Sequence, residues 1–474
     1  MPIQMIRSVV FLLSTLVIPI SAADVISRDV VIIGGGAAGS HAAVWLHDHN
    51  KTVAVVERSG RLGGHTAVYH DPSTGTPINI GVQAWMEYLN TTSFPHRMGV
   101  DTNGSMQFEN LTPHYVDFST GLPVSYIPPS PAAEKAALEK FLSLCERYAD
   151  LMLPGFFNFP AAGSDIPDDL TMDFGAFVQK YALQAALPRL WTSTVMGVGD
   201  FLRVPTLYVM QASGVIMARA MLGQSRAIVP SSGNLHELYD GVADLIGEDV
   251  LYDSIVVGST RNDSGVEVWV KHRDGNETQI VAKRLLVAFE PSPVALAPFD
   301  LDDEEADVLF KLRFSSVYAG LVQHPSLGGL QQWTNTVPGA AGGNPPAYPL
   351  PAQVGRIAHQ PGGGEGLFAF TAVGTEEDGA ESIQGLIAQA IENMVKTGTV
   401  EAKNGSTTFP CFANHGLMHS RVSGEELRKG FIARQNALQG RRATWYSGAA
   451  FSAGFSTVLW AYNEGLLPRV IEGL

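Results

Sequence analysis

The sequence predicts an α/β fold that combines a Rossmann-like nucleotide-binding domain with a second region, partly helical and partly β-sheet. The first observation is a strand, a glycine-rich turn, a helix and a second strand in succession within residues 29–56. The second is a strand within residues 444–466 that ends in a glycine-containing turn and leads into a helix. Between these ends, apolar helical stretches and β-branched runs favour a mixed second region.

The turn after the first predicted strand fits the pattern G-x-G-x-x-G. Gly34 makes the tight turn, Gly36 lets the backbone approach a pyrophosphate, and Gly39 allows the helix to pack closely on the strand. The N-terminus of that helix then directs free N–H groups towards the phosphates. Ala38 lies inside the same turn, and we include it among the expected cofactor contacts.

An acidic residue ends the second strand, about 20 residues after the turn, where a dinucleotide fold places the ligand of the ribose hydroxyls. That residue is Glu57, followed by Arg58, which we also expect at the cofactor. This combination of two strands, a turn, a helix and an acid predicts dinucleotide binding far more specifically than the glycines alone.

The remaining elements follow from periodicity and turn residues. We expect helices over residues 37–48, 131–150, 381–396 and 454–466, and a mainly helical, apolar stretch over 170–225. We expect strands over 250–257, 266–271, 279–281, 284–289, 313–324 and 366–373, and a loop-rich stretch from the second strand to about residue 130.

The segment Arg61-Leu-Gly-Gly-His65 decides between nicotinamide and flavin dinucleotides. Here the sequence resembles the flavin-containing amine oxidase superfamily, in which R-x-G-G follows the ribose acid and surrounds the pyrophosphate and flavin of FAD. The resemblance implies that Arg61 binds phosphate. It also implies that the backbone at Gly63 and Gly64 passes close to the flavin, with His65 beside it. A surface turn is the alternative.

Three more blocks carry the resemblance. Gly81, in Ile80-Gly-Val-Gln83, matches a stretch along the isoalloxazine, and Val256, within one position, matches the valine whose backbone meets the adenine. The third block, 444–454, matches the closing flavin motif, and implies contacts from Gly448, Ala449 and Phe455 before a helix whose dipole faces the flavin. The superfamily usually has an acid where Ala449 stands, which puts that one contact in doubt.

Within the superfamily, the sequence most resembles the β-cyclopiazonate dehydrogenase-like FAD oxidoreductases; polyenoic fatty acid isomerases look similar at the same sites. The resemblance implies an amine oxidase-like division of the chain. We expect a signal peptide (1–23), a FAD-binding domain in three parts (24–95, 226–295 and 426–474), a helix-rich cap (96–225) and a substrate domain (296–425).

Composition and the N-terminus point to a secretory-pathway protein. Its 474 residues are 45% hydrophobic and 16% charged, and the net charge of −15 makes nucleic acid a poor partner. Arg7 and the mainly apolar residues 9–18 resemble a signal peptide; a membrane anchor is the alternative, but the stretch is short for a span, so we expect none after cleavage. Six sequons predict a glycoprotein: Asn90, Asn103, Asn110, Asn262, Asn276 and Asn404.

Two histidines are the candidate catalytic residues. His65 either carries a covalent histidyl link to the flavin or only contacts flavin or substrate. His415, shortly before the closing motif, either orients substrate or acts as a base, since imidazole suits proton transfer near neutral pH, or is structural. The histidine spacing indicates no metal site. Cys145 and Cys411 are either free thiols or a disulfide, and the sequence does not decide.

These features predict a secreted FAD-dependent oxidoreductase that takes a hydride from a C–N or activated C–H bond of a small apolar metabolite, with O2 as the expected acceptor. The resemblance suggests a role in secondary metabolism. A redox-neutral isomerase acting on a polyunsaturated fatty chain is the alternative, and a non-enzymatic flavin carrier is a third hypothesis.

Overall fold

The structure is a computed structural model that describes residues 24–340 and 352–474. The expected signal peptide lies outside the described residues. Within the described ranges, no helix is both long enough and apolar enough to cross a membrane.

Helices and strands alternate along most of the described chain. The strands are β1 Asp24–Ile33, β2 Val53–Val56, β3 Thr66–His70, β4 Pro77–Gly81, β5 Trp85–Met86, β6 Thr112–Asp117, β7 Leu122–Pro123, β8 Ala227–Ile228, β9 Val250–Leu251, β10 Ser254–Asn262, β11 Gly265–His272, β12 Glu277–Val287, β13 Arg313–Gln323, β14 Gln331–Asn335, β15 Gln353–His359, β16 Phe368–Gly374, β17 Thr408–Arg421 and β18 Thr444–Tyr446. The helices are α1 Ala37–Asp48, α2 Ser93–Arg97, α3 Pro131–Glu146, α4 Ala149–Met152, α5 Asp168–Thr171, α6 Phe174–Tyr181, α7 Leu187–Ser193, α8 Thr206–Ser213, α9 Val215–Met221, α10 Glu237–Ile246, α11 Pro293–Leu296, α12 Asp303–Leu309, α13 Ala380–Lys396, α14 Gly424–Arg428, α15 Phe431–Ala437 and α16 Ser456–Val470.

Three sequence expectations differ from the observed elements. The helix expected over 131–150 is two helices, α3 and α4. The strand expected over 250–257 is divided into β9 and β10, because Asp253 between them has a φ of 46°. The stretch expected to be loop-rich contains β3 to β7; in it, Ile78 and Ile80 alternate along β4 and bury their side chains against Leu321 of β13.

The first sheet forms the nucleotide-binding layer. Its order is β10-β11-β12-β1-β2-β9, and β18 also pairs with β12. β1 runs parallel to β2 and β12, and β18 runs parallel to β12, with Ile33 opposite Val56 and Val287, and Val287 opposite Tyr446. The carboxyl ends of four parallel strands therefore lie along one edge, which is the edge where open α/β sheets bind ligands.

The second sheet lies in the expected substrate region. Its order is β17-β13-β16-β15-β14-β6-β7. Helix α13 covers one face, where Ile383, Ile387 and Ile391 pack with Ile357 and Phe370 of the sheet. The hairpin β3–β4 packs on the other face. That hairpin also continues from the glycine pair after β2, so the open face of the second sheet is brought next to the nucleotide edge of the first.

Candidate functional site

The turn between β1 and α1 is too tight for any side chain at Gly39. A Cβ added there would lie 1.9 Å from the carbonyl oxygen of Gly34 and 3.3 Å from a methyl group of Ile32. The helix therefore begins directly on the strand, as the sequence predicts. Gly36 is the N-cap and has no side chain to bond the first-turn N–H groups. These donors are left for an anion.

Glu57 is buried at the end of β2, directly beside this turn. Its Oε2 accepts a hydrogen bond from the Gly35 N–H at 2.7 Å, and its Oε1 accepts one from the Ser59 N–H at 2.8 Å. Each carboxylate oxygen retains a second lone pair, so the group can still accept from the hydroxyls of a ribose. Two backbone bonds thus hold Glu57 in the orientation that a ribose ligand requires.

The segment that carries Val256 meets the same strand end. The Ser254 N–H donates to the carbonyl of Glu57 at 3.0 Å, and the Asp253 N–H donates to that of Ser59 at 3.1 Å. Val256 itself is buried on β10, two residues beyond this contact. Arg58 lines an open cavity of about 380 Å³ there, together with Ile255. The structure therefore places Arg58 and the expected adenine segment at one end of the site.

The glycine pair after β2 approaches the first turn directly. A Cβ at Gly64, whose φ is +55°, would lie only 2.9 Å from the Cα of Gly36. The Gly63 N–H also donates to the carbonyl of Gly35 at 2.9 Å. The two glycine-rich turns thus form one backbone cradle, which side chains would fill. Arg61, beside the cradle, is exposed and has no hydrogen bond or ion pair to any described residue.

The C-terminal segment closes the site from the other end of the chain. Asn463 of α16 is fully buried; its Nδ2 donates to the carbonyl of Ala38 at 2.8 Å, and its Oδ1 accepts from the Ser447 hydroxyl at 2.6 Å. Gly448 and Gly454 bound the turn that follows, and a Cβ at either would meet nothing within 4 Å. Open space thus lies beside Gly448 and Gly454, in the segment that the sequence assigns to the flavin; Ala449 and Phe455 of that segment are partly exposed.

Gly81, His65 and His415 meet where the first and second sheets adjoin. A Cβ at Gly81 would lie 2.4 Å from Nε2 of His415 and 2.7 Å from the carbonyl of His65. The two imidazole rings are 5.2 Å apart, edge to face. His415 is buried, and its Nε2 has no hydrogen-bond partner among the described residues. The residues expected along the flavin thus come together, although 350 positions separate the two histidines.

Burial keeps these histidines neutral. It lowers the pKa of His65 to about 4 and the pKa of His415 to about 3, in the second case with the help of the nearby His65 charge. The expectation of a histidine base with an ordinary pKa is therefore wrong for His415, because its ring has lost water without gaining an acid partner. At neutral pH the pair presents uncharged imidazoles.

Two further groups at the site were not predicted. His419, on the same strand as His415, has its pKa lowered to about 4 by burial and by Arg421. Glu290 follows β12 at the edge where Gly34 follows β1, and burial raises the pKa of Glu290 to about 7 although a hydrogen bond with Ser420 opposes this. Its Oε2 has no partner among the described residues. An acid just after a parallel strand was the available sequence signal.

The cysteines and metal-ligand side chains add no second site. Cys145, buried in α3, and Cys411, partly buried on β17, are both free thiols, so the disulfide alternative is wrong. In the part of the chain that the structure describes, no group of three or more His, Cys, Asp or Glu side chains could hold a metal ion.

Comparison with known sequences identifies the family. Residues 32–95 match the model of an NAD(P)-binding Rossmann-like domain. The chain is 33% identical to the FAD-dependent oxidoreductase pigF of Monascus ruber over 95% of this chain and 93% of that protein. The chain belongs to this family of FAD-dependent oxidoreductases. It is also 31% identical to β-cyclopiazonate dehydrogenase of Aspergillus oryzae, over 95% of this chain and 94% of that one. The predicted resemblance and the predicted enzyme class are confirmed.

Comparison with solved structures shows the fold. A CLA-producing fatty acid isomerase from P. acnes superposes with a TM-score of 0.69 at 19% identity, covering 94% of this chain and 99% of the other. A double mutant of putrescine oxidase superposes with a TM-score of 0.63 at 17% identity, covering 94% and 100%. The predicted α/β, amine oxidase-like fold is confirmed. The domain boundaries and the roles of the site residues stay predictions.

The residues at this edge fit FAD. The uncapped start of α1, the cradle at Gly36 and Gly64, and the unpartnered Arg61 offer backbone and charged donors for a pyrophosphate. Glu57 stands where the ribose ligand belongs, and open space lies beside Gly448. A bound flavin supplies hydride and electron transfer at its ring, while the chain supplies orientation and a dry environment.

Proposed function

We propose that this protein oxidises a small, largely apolar metabolite by removing a hydride from a C–N or activated C–H bond, as a step of secondary metabolism. The observation that carries the proposal is the junction of Gly81, His65 and His415 beside the FAD cradle. There, uncharged side chains surround the place expected for the flavin ring. Its family relatives include a dehydrogenase and several oxidoreductases, which supports the same reaction class.

The chain's own part in this reaction is orientation and proton handling. His415 has a free Nε2 that can accept a hydrogen bond from a substrate N–H or O–H. Glu290, with a pKa of about 7, is the group at this edge best matched to exchange a proton near neutral pH. Ala319 and Ala413 are small, partly exposed side chains next to the β3–β4 hairpin, and we place the apolar part of the substrate beside them.

Anaerobic titration tests the proposal. The purified flavoprotein would be mixed under argon with apolar amines and with compounds that contain an activated C–H bond, while flavin absorbance is followed. Bleaching that persists until O2 is admitted is the expected result, and it also tests O2 as the acceptor. His415→Gln should slow bleaching by at least tenfold, whereas His47→Gln, a side chain 48% exposed, should not. If no compound bleaches the flavin, the result would contradict the proposed oxidation and favour the hypothesis of a flavin carrier.

The redox-neutral isomerase stays the alternative. The apolar, small-residue face of the second sheet suits an unsaturated acyl chain equally well. A shift of a double bond in linoleate without lasting flavin reduction would favour this alternative over the oxidase.

The form in which the flavin is held is a separate part of the proposal. Either a histidyl bond to His65 or non-covalent binding is compatible with its place beside Gly81. Acid precipitation distinguishes them: flavin that stays in the pellet, and is released by His65→Ala, supports the covalent bond. Flavin in the supernatant contradicts it.

We further propose that the chain is secreted and glycosylated. All six sequon asparagines are exposed, as glycan attachment requires (Asn90, Asn103, Asn110, Asn262, Asn276 and Asn404). Expression of the full chain in a fungal host should give medium-borne protein that begins after residue 23 and loses mass on treatment with an N-glycosidase. Retention in the cytosol without a mass change would contradict both points.

A further inference from the structure

A row of paired residues on the second sheet leads from β17 to an arginine on β15. Ala413 of β17 pairs with Ala319 of β13, Ala319 pairs with Thr371 of β16, and Thr371 pairs with Arg356 of β15. Directly paired residues in antiparallel strands point to the same face. Arg356 therefore shares a face with Ala413, which is two residues before His415.

This is the face that α13 does not cover, and the hairpin β3–β4 packs on part of it, beside Ala319 and Ala413. The adjacent row on the opposite face contains Ile357 and Phe370, both buried beneath α13. By contrast Ala413, Ala319 and Thr371 are small and remain partly exposed. Three strand spacings separate Ala413 from Arg356, about 14 Å in all. The row thus forms a floor of small side chains between the strand that carries the neutral His415 and the arginine.

Arg356 has no counter-ion within residues 24–340 and 352–474. Its guanidinium makes no hydrogen bond or ion pair with any described residue, although the side chain is mostly buried. Burial lowers the pKa of Arg356, and the charged group that lowers it further is a second cation, Arg189. Helix α7, which carries Arg189, packs beside this strand: a Cβ at Gly355 would lie 3.4 Å from the ring of Trp191.

A mostly buried arginine beside an exposed one, with no acid paired to it among the described residues, favours the entry of an anion. Removing an arginine from water costs free energy unless it is paired, and a neighbouring cation increases that cost. A planar carboxylate accepts two parallel hydrogen bonds from a guanidinium. An anion here would restore to Arg356 the hydrogen bonds and charge compensation that burial removes.

We infer that Arg356, assisted by Arg189, binds an anionic group of the substrate, a carboxylate or an acidic enolate, on β15 of the second sheet, three strands away from the strand that carries His415. This rests on the proposed function and narrows it: the metabolite is apolar along the floor of small residues and anionic at one end. The phosphates of FAD are not this anion, because their expected ligands, the α1 N-terminus, Gly64 and Arg61, are on the first-sheet side of the site.

Binding of a matched pair of probes to the holoprotein tests the inference. The probes are 4-phenylbutyrate and its neutral isostere 4-phenylbutanamide, titrated by calorimetry and by perturbation of flavin absorbance. We expect the carboxylate to bind at least tenfold more tightly than the amide. Arg356→Gln should lower the affinity for the carboxylate by about tenfold to a hundredfold, the range for losing a hydrogen bond to a charged group. The affinity for the amide should stay unchanged. Arg189→Gln should have a smaller effect of the same sign.

Controls separate substrate binding from a structural role. Arg226→Gln, at a side chain 77% exposed, should change neither affinity. Arg356→Gln should not lower the melting temperature, because it removes an uncompensated buried charge; Arg356→Lys should bind the carboxylate with intermediate affinity. Equal affinity of the two probes, or a fall in melting temperature without a change in carboxylate affinity, would overturn the inference.

Failure of the inference is distinguishable from failure of the proposed function. Protein that holds flavin and is bleached by a neutral substrate, but does not discriminate between the probes, would keep the oxidoreductase and remove the anion site. Protein that binds no flavin would contradict the proposed function, while calorimetry would still report whether Arg356 prefers the carboxylate.

Discussion

Gly39 and Glu57 show how single residues shape the cofactor site. Gly39 is required because the Gly34 carbonyl occupies the position of its missing Cβ. The N–H groups of Gly35 and Ser59 donate to the Glu57 carboxylate and hold it in one orientation. Both residues contact the backbone of the same turn. Their spacing could therefore be recognised from the sequence.

Gly39→Ala should abolish flavin binding and destabilise the fold by about 1–3 kcal/mol, the usual cost of overpacking. Its Cβ would meet the Gly34 carbonyl oxygen and force α1 away from the turn. Flavin absorbance after gel filtration and urea unfolding measure the two effects. Gly385→Ala is the matched control, a helical glycine of α13 with nothing within 4 Å, and it should raise stability by about 0.4–1 kcal/mol. Full flavin occupancy in Gly39→Ala would refute the close-approach argument.

Glu290 should make the protein less stable as pH rises from 4.5 to about 7. Because burial raises the pKa of Glu290 to about 7 in the folded state, the folded chain binds more protons than the unfolded chain in that window. Glu290→Gln removes this loss, so at pH 8 the variant should be more stable than the wild type, by on the order of 1–3 kcal/mol. Urea unfolding at pH 4.5 and 8 measures it; an equal difference at both pH values would contradict the raised pKa.

The elements that support the site are tied together by a buried ion network. Arg261 of β10 and Glu305 of α12 are almost fully buried and paired at 2.8 Å. Glu305 also accepts from the Tyr446 hydroxyl of β18 at 3.0 Å and bonds the Asp302 N–H in a capping box. Tyr446 is thereby engaged in holding the closing strand to α12. The network links elements that precede β13 in the chain, β10 and α12, with β18, which follows β17.

Glu305→Ala should destabilise the protein by about 3 kcal/mol, because it removes one of the two acids, Glu305 and Asp300, that pair with the buried Arg261 charge. Glu304→Ala, the neighbouring residue in α12, is the control: its carboxylate is 58% exposed and pairs with Arg441 on the surface, so its loss should cost at most about 1 kcal/mol. Chemical unfolding of both variants compares them. If both variants lose a similar free energy of unfolding, the buried ion pair contributes no more to stability than a surface ion pair.

The fold as a whole is organised around contacts between the two chain ends. Helix α16 reaches Ala38 through Asn463, and Ser447 reaches the end of β12 by donating its N–H to the Val287 carbonyl at 2.8 Å. The hairpin β3–β4 then joins this layer to the second sheet. The residues predicted to bind the cofactor come from both ends of the chain. Cofactor binding should therefore raise the free energy of unfolding of the whole protein.

Removal of the flavin should lower the melting temperature and expose the closing segment. A ligand that binds only the folded state stabilises it by about 4 kcal/mol at a thousand times its Kd. Apoprotein prepared by chaotrope treatment should therefore melt several degrees lower, and added FAD should restore the holoprotein value. Limited proteolysis should cut apoprotein near the Gly448–Gly454 turn first. Equal melting of apoprotein and holoprotein would show that FAD does not bridge the chain ends.

The sequence determined the cofactor class and the first layer of the fold. Gly39 is required by its own turn, and Glu57 and Gly64 contact that same turn at Gly35 and Gly36, so these residues form one pattern within residues 34–64 that the sequence displays. The grouping of His419 and Glu290 with the predicted histidines, and the position of Arg356, came only from the folded chain. Which carboxyl ends share an edge, and which residues share a cross-strand row, depends on pairing between distant strands, and no local pattern encodes that register.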